Sequence, residues 1–239
     1  MVTLSRRSAR LLIIPLAALL VVACEHNDLG TGTSGGGGGT VPPLGAASTY
    51  GILAGTAVTC VTGGTIFADV GVSPGAAITG FGPCTLTGTR HQGDAAAAAA
   101  QVALTSAYNE LVAETCGTTI VADLGGTTIT PGVYCSASSV GVTGAVTLNG
   151  QGNANARFVI KAGSSLTTAG SVVLTNGTQA KNVWWQVGSS ATLGTGSAWQ
   201  GNIVALTSIT LNDNATMLGR ALARNGGITL GSNNSIALP

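Results

Sequence analysis

From Leu166 to Pro239 one short pattern of apolar and small polar positions recurs. The windows are Leu166-Thr-Thr-Ala-Gly-Ser-Val-Val-Leu174, Leu193-Gly-Thr-Gly-Ser-Ala-Trp-Gln-Gly201, Leu211-Asn-Asp-Asn-Ala-Thr-Met-Leu-Gly219 and Leu230-Gly-Ser-Asn-Asn-Ser-Ile-Ala-Leu238. Each starts with Leu, crosses small or short polar residues and returns to an apolar position. The last three start 18 and 19 residues apart, a spacing that suits one winding of a solenoid and is too short for separate domains. A looser copy, Val140 to Leu148, lies upstream, and steps of 26 and 27 residues on either side of Leu166 leave room for longer loops.

Stacked windings bring equivalent residues into columns about 4.7–4.9 Å apart, with alternate side chains pointing outward. Aligning the windows on their leading Leu predicts three columns: Thr168, Thr195, Asp213 and Ser232; Gly170, Ser197, Ala215 and Asn234; and Ser171, Ala198, Thr216 and Ser235. The expected surface is flat, nearly uncharged and built of methyl and hydroxyl groups.

Upstream, Tyr50 to Val61 and Thr65 to Val72 read as two strands, with turns at Gly63-Gly64 and Ser73-Pro74-Gly75. Asp94 is placed to cap a helix over about 94–115, with Leu104, Tyr108 and Leu111 on one face. Its run of alanines permits close approach to a sheet, so the helix is expected to lie lengthwise over an apolar solenoid face. Strands resume near Gly117. Arg157 to Ile160 and Asn182 to Val187 read as core strands, with one of Trp184 and Trp185 in the core. Arg220 and Arg224 share a face and read as solubilising residues.

Composition supports this picture: 7% of residues are charged, 4% aromatic and 37 are Gly, as expected for many short strands and turns. A net charge of +1 offers no basic excess for a nucleic-acid partner. The six acids of the folded part, Asp69, Asp94, Glu110, Glu114, Asp123 and Asp213, are scattered, which argues against a glycosidase-type carboxylate pair. Glu110 and Glu114 share a helix face and read as solvated. His91 is the one histidine of that part, a poor basis for a Ser-His-Asp site. The expectation is no enzyme, no cofactor and no metal.

Residues 1–23 read as an export signal, with Arg6, Arg7 and Arg10 before an apolar stretch too short to span a membrane. Val21-Val22-Ala23-Cys24 looks like a bacterial lipobox, which would make Cys24 a lipidated first residue and anchor the protein to a membrane. Residues 24–43, with five consecutive glycines at Gly35 to Gly39, read as a tether, leaving 44–239 as the folded domain. Setting Cys24 aside leaves Cys60, Cys84, Cys116 and Cys135, an even number suited to disulfides in an oxidising compartment. Three connectivities are open, of which local pairing, Cys60 with Cys84 and Cys116 with Cys135, is preferred. Zinc is disfavoured because no Cys-x-x-Cys pair is present and histidine is nearly absent.

Leu44-Gly-Ala-Ala, Tyr50-Gly-Ile-Leu-Ala54, Asp69-Val-Gly-Val-Ser-Pro74, Ile78-Thr-Gly-Phe81, Thr130-Pro-Gly-Val-Tyr134, Ala180-Lys-Asn-Val-Trp-Trp-Gln-Val187 and Gly219-Arg-Ala-Leu-Ala223 together resemble the microbial ice-binding protein family. The resemblance implies a mainly β fold: an irregular right-handed β-solenoid of triangular cross-section with one long α-helix packed alongside. It also implies adsorption to an ice crystal surface through a flat solenoid face, often with a Thr-Ala/Gly-x-Thr/Asn pattern. Thr168-Ala-Gly-Ser171 and Thr195-Gly-Ser-Ala198 come near that pattern, Asp213-Asn-Ala-Thr216 keeps its last Thr, and Ser232-Asn-Asn-Ser235 matches it in size and polarity. The expected state is a monomer at the outer membrane or cell surface, or released from it. A surface adhesin or structural solenoid is the alternative.

Overall fold

The computed structural model describes residues 40–239. The expected export signal over 1–23, Cys24 and the expected tether as far as residue 39 lie outside the described residues.

The chain winds through strands of two to six residues whose neighbours are parallel. Three sheet faces result, giving a solenoid of triangular cross-section. One face has nine strands, among them Tyr50–Ala54, Asp69–Val72, Gly132–Ser136, Phe158–Ala162, Val183–Val187, Asn202–Ala205 and Ala221–Ala223. The second has seven: Val140–Val142, Leu166–Thr168, Ala191–Leu193, Ile209–Leu211, Ile228–Ser232, Ala57–Thr62 and Ala77–Thr79. On the third face a group of three strands, including Val172–Thr175, adjoins a group of five, including Ala198–Gln200. Gln200 Nε2 donates to the Val172 carbonyl at 3.2 Å across that junction.

Stacking order departs from chain order. Residues 50–92 sit on the last winding, with Ile52 opposite Ala221, Val58 opposite Ile228 and Ile66 opposite Ile236. The helix α1 (Ala95–Ala113) then carries the chain to the far end, and residues 118–239 build back towards the start. Nineteen residues make a rod about 28 Å long, which passes several strands spaced about 4.8 Å apart.

Asp94 accepts from the Ala97 amide at 2.8 Å and so caps α1. His91 Nδ1 lies 2.8 Å from the other Asp94 oxygen. These bonds, the amide first, hold the Asp94 carboxyl below the ordinary aspartate range. At the other end Lys161 Nζ donates to the carbonyls of Val112 and Glu114 at 2.7 and 2.8 Å, a cation where the helix dipole is negative.

Inward residues form a continuous core that includes Ile52, Ile66, Leu148, Ile160, Trp185, Trp199 and Leu230. The nine-stranded face is apolar on its outer side too. Tyr50, Leu53, Val159, Trp184, Val204 and Leu222 pack against Leu104, Tyr108 and Leu111 of α1. Ala97, Ala100 and Ala107 are fully buried there, because methyl-sized side chains let the helix backbone approach the sheet. Trp184 and Trp185 are therefore both buried, Trp185 in the solenoid and Trp184 beneath the helix.

Three expectations change: the strand runs, the two arginines and the solvated reading of Glu114. The runs Tyr50 to Val61 and Thr65 to Val72 each divide into two strands, at Gly55-Thr56 and at Ala68, because a three-sided winding must turn a corner every few residues. Arg220 and Arg224 are braces rather than solubilising groups. Arg220 donates to Asn202 Oδ1 at 3.0 Å and to the Ser48 carbonyl at 2.8 Å, and Arg224 stacks over Tyr108. Glu114 pairs with buried Arg157. The disulfides are Cys60–Cys84 and Cys116–Cys135, the local pairing. Each ties down windings near one end of the stack.

Candidate functional site

On the seven-stranded face most strands read apolar-Thr-apolar, and the ladder aligns their central residues. Thr167 pairs with Thr192, Thr192 with Thr210, Thr210 with Thr229, Thr229 with Thr59, and Thr59 with Thr79. Six threonines thus form one column, continued at one end by Gly141. Beneath them Leu166, Ala191, Leu193, Ile209, Leu211, Ile228, Leu230, Val58 and Cys60 are all 0–1% exposed. Alternation fixes the outcome: flanking residues enter the core, so the threonine between them must face outward.

Two residues before each threonine, a second outward row runs through Ser139, Ser165, Ser190, Ser208, Gly227, Ala57 and Ala77. Ser139 and Ser165 hydroxyls lie 2.8 Å apart, and the Ser208 amide donates to Ser190 Oγ at 3.3 Å. Two residues after lies a third row, Thr143, Ala169, Gly194, Asn212, Gly231 and Val61. None of these outward positions is charged. Thr79 donates to Thr59 at 3.2 Å, while among the described residues the hydroxyls of Thr167, Thr192, Thr210 and Thr229 have no protein partner and are free to bind water. Threonine is β-branched and stiff at χ1, so the column presents methyls and hydroxyls at strand spacing with little freedom to lose.

Acids mark two margins. Asp123 bridges to Gly141 at the end of the column. Its carboxylate accepts from the Thr143 hydroxyl, from the Gly125 amide at 2.8 Å and from the Thr143 amide at 3.1 Å. These bonds, the hydroxyl first, hold its pKa below the ordinary range. Asp213 turns the corner towards the third face, where it accepts from the Ser232 amide at 2.7 Å.

The columns predicted from the leading Leu residues need correction. Leu193, Leu211 and Leu230 are in register, but Leu166 aligns with Ala191 and Thr168 with Leu193. Thr168 is consequently an inward residue, 3% exposed. Ser197, Ala215 and Asn234 are also buried, and Asn234 donates to the carbonyls of Asn212 and Ala215. None of these four can form an exposed surface. Thr195, Asp213 and Ser232 do stack, but on the corner, before turns with left-handed backbone at Gly196, Asn214 and Asn233. Gly170 lies at the same kind of corner, where a Cβ would meet the Gly144 carbonyl at 1.9 Å. Ser171, Ala198, Thr216 and Ser235 belong to the third face; Ala198, Thr216 and Ser235 are in register, and Ser171 Oγ accepts from the Ala198 amide at 3.1 Å. That face is uneven, since Phe67, Val173 and Leu218 stand out from it at 39–51% exposure.

A family model described as ice-binding-like matches residues 52–236. The chain belongs to the ice-binding-like family. It is 48% identical over 198 residues to the ice-binding protein of Nostoc sp. (strain HG1), covering 81% of this chain and 73% of that one. The crystal structure of an ice binding protein from an Antarctic Biological Consortium superposes with a TM-score of 0.82 at 43% identity, covering 84% of this chain and 92% of the other. That of the ice-binding protein from the Antarctic ascomycete Antarctomyces psychrotrophicus gives a TM-score of 0.80 at 37% identity, covering 84% and 99%.

For this member of the ice-binding-like family, the missed residues carried a readable signal. Ala191-Thr-Leu, Ile209-Thr-Leu and Ile228-Thr-Leu repeat at the same 18- and 19-residue steps as the Leu windows. A threonine between two apolar residues is an outward residue of a half-buried strand. Anchoring the alignment on Leu, and reading forward, placed the columns in the corner and beyond it rather than on the seven-stranded face.

Proposed function

We propose that this protein adsorbs to ice through the seven-stranded face, with Thr59, Thr79, Thr167, Thr192, Thr210 and Thr229 at its centre. The observation that carries this reading is the in-register column of outward threonines on a rigid, uncharged sheet.

Liquid water surrounds the protein at far higher concentration than any ice surface, so single hydrogen bonds give little net gain and no selectivity. A repeating array differs. Methyl groups restrict where surface waters sit and hydroxyls at fixed spacing hold them, so an ordered layer forms that merges with the crystal. The core beneath is already packed, and little conformational entropy is lost on adsorption. Adsorbed molecules pin the ice front, which must curve between them, and this lowers the freezing point and slows recrystallisation. The resemblance to the ice-binding proteins of Nostoc and of the Antarctic ascomycete supports the same reading.

Recrystallisation of ice in a frozen sucrose film tests it. The purified protein should hold grain size nearly constant, and a Thr210→Tyr variant with an unchanged circular dichroism melt should not. Equal coarsening with parent protein and with buffer would reject the reading.

Cys24 of the lipobox-like segment, with Gly-rich residues after it, supports a lipid-anchored, surface-displayed protein. A Cys24→Ala variant should leave the membrane fraction, and retention there would count against the anchor.

A further inference from the structure

Four arginines lie among the described residues, and three have acceptors. Arg90 donates to the Phe81 carbonyl, Arg157 to Glu114, and Arg220 to Asn202 and Ser48. Arg224 has none: its Nε is buried without a partner, and its guanidinium lies 4.8 Å above the Tyr108 ring. Tyr108 is itself fixed, since it is 6% exposed and its hydroxyl accepts from Gln186 Nε2 at 3.1 Å. The cation is thus held over an aromatic platform with hydrogen-bond donors unspent. The terminal guanidinium N–H groups are not buried and have no protein acceptor, so they are open to water or to a ligand.

The group stands in a groove of about 360 Å³ between α1 and the corner that leads to the threonine face. The lining is Ser73, Pro74, Gln101, Val102, Thr105, Ser106 and Asn225 besides Arg224. Gln101 is oriented by a 3.2 Å bond from its Nε2 to the Ala223 carbonyl, which leaves its amide oxygen available. Val102, 70% exposed, and Pro74 supply apolar surface at the rim. No carboxylate lines the groove. One unpaired guanidinium, several hydroxyl and amide groups and a small apolar wall, in a volume fit for one sugar ring, match a carboxylate that carries neighbouring hydroxyls.

We propose that the Arg224 groove binds a uronic acid residue, with the carboxylate on the Arg224 guanidinium, the ring hydroxyls on Gln101, Thr105 and Asn225, and a ring face against Val102 and Pro74. A planar fork of donors suits a carboxylate particularly well. Such a residue occurs as a free acid or within an acidic polysaccharide. The site is independent of the threonine face, so its presence or absence leaves the ice reading untouched.

Isothermal titration of the purified protein with galacturonate, tetragalacturonate, acetate and cellotetraose tests the assignment. Saturable binding of the uronates is expected, weakened by salt, with acetate much weaker and cellotetraose silent. Tighter binding of the tetramer than of the monomer assigns a polymer, and equal binding assigns the free acid. Arg224→Gln should weaken uronate binding at least tenfold. Because Arg224 also packs on Tyr108, Val102→Asp serves as a second variant: it places a negative charge at an exposed rim position and should weaken binding similarly at an unchanged melting temperature. Both variants should retain recrystallisation inhibition. Uronate affinity equal to that for cellotetraose, or unchanged in both variants, overturns the proposal.

Discussion

Two faces of this solenoid share one interior and differ in what they present outward. On the nine-stranded face the outward residues are Tyr50, Leu53, Val159, Trp184, Val204 and Leu222, all buried beneath α1. On the seven-stranded face the corresponding positions hold mainly Thr, Ser, Ala and Gly, with Asn212 and Val61 in one outer row, and nothing among the described residues covers them. Large apolar side chains demand an irregular, interdigitating partner, and a helix with alternating Ala, Leu and Tyr supplies one. Small, stiff side chains in straight rows leave no sockets for a helix. They offer instead a plane whose regularity only another regular surface can match. Outward side-chain size thus separates the stabilising side of the molecule from the side proposed to meet ice.

The sharpest way to break that contrast is to exchange the demands on the two faces. Leu104→Asp puts an unpaired charge beneath the helix, where Leu104 is fully buried, and should cost several kcal/mol, about 3–5. Chemical denaturation should show the loss, and ice activity should fall only as far as the folded fraction falls. Thr210→Tyr should do the opposite. A bulky ring at the centre of the column lifts several neighbours off a flat surface, and losing more than about 1.4 kcal/mol of contact is roughly tenfold in the concentration needed to stop recrystallisation, with the melt unchanged. Thr195→Tyr, on the corner, should change activity far less, and an equal loss would return the ice surface to the corner columns.

A gain is expected at the column's end. A Cβ on Gly141 would meet the Ala122 carbonyl at 3.3 Å and Asp123 Cγ at 3.6 Å, so Gly141→Thr needs only a slight adjustment. It extends the array by one threonine, and a few tenths of a kcal/mol give an improvement of up to about twofold. The smallest effect should come from pH. The threonine face carries no titrating group, so activity should be flat while the fold persists. Asp94 and Asp123 have depressed carboxyl pKa values. Their contribution to stability is therefore full above the ordinary aspartate value of about 3.9 and lost as pH falls through their lower folded values. Melting temperature followed by calorimetry should thus decline only on the acid side, and activity with it.

Much of this was legible in the chain. The helix, its Asp94 cap and its buried Leu104, Tyr108 and Leu111 follow from local spacing, and so do the repeat lengths of the last three windings. The local disulfide pairing was one of three open choices. The proposed ice surface was harder to read, because a sheet's outward and inward residues differ by a shift of one. Thr167 and Thr168 are adjacent and chemically identical, yet one faces solvent and the other is buried. The roles of Arg220 and Arg224 were hidden for another reason: Ser48 and Tyr108, the groups they meet, are 172 and 116 residues away.

What the sequence determined by itself is whatever depends on neighbours a few residues apart: repeat length, strand alternation, helix position and the lack of charge on outward positions. Only the tertiary structure decided that Thr59 stands beside Thr229, because α1 returns the chain to the far end of the stack and the first windings close over the last. Parallel strands draw register from inward packing across distant segments, and no local pattern records which winding will become the neighbour.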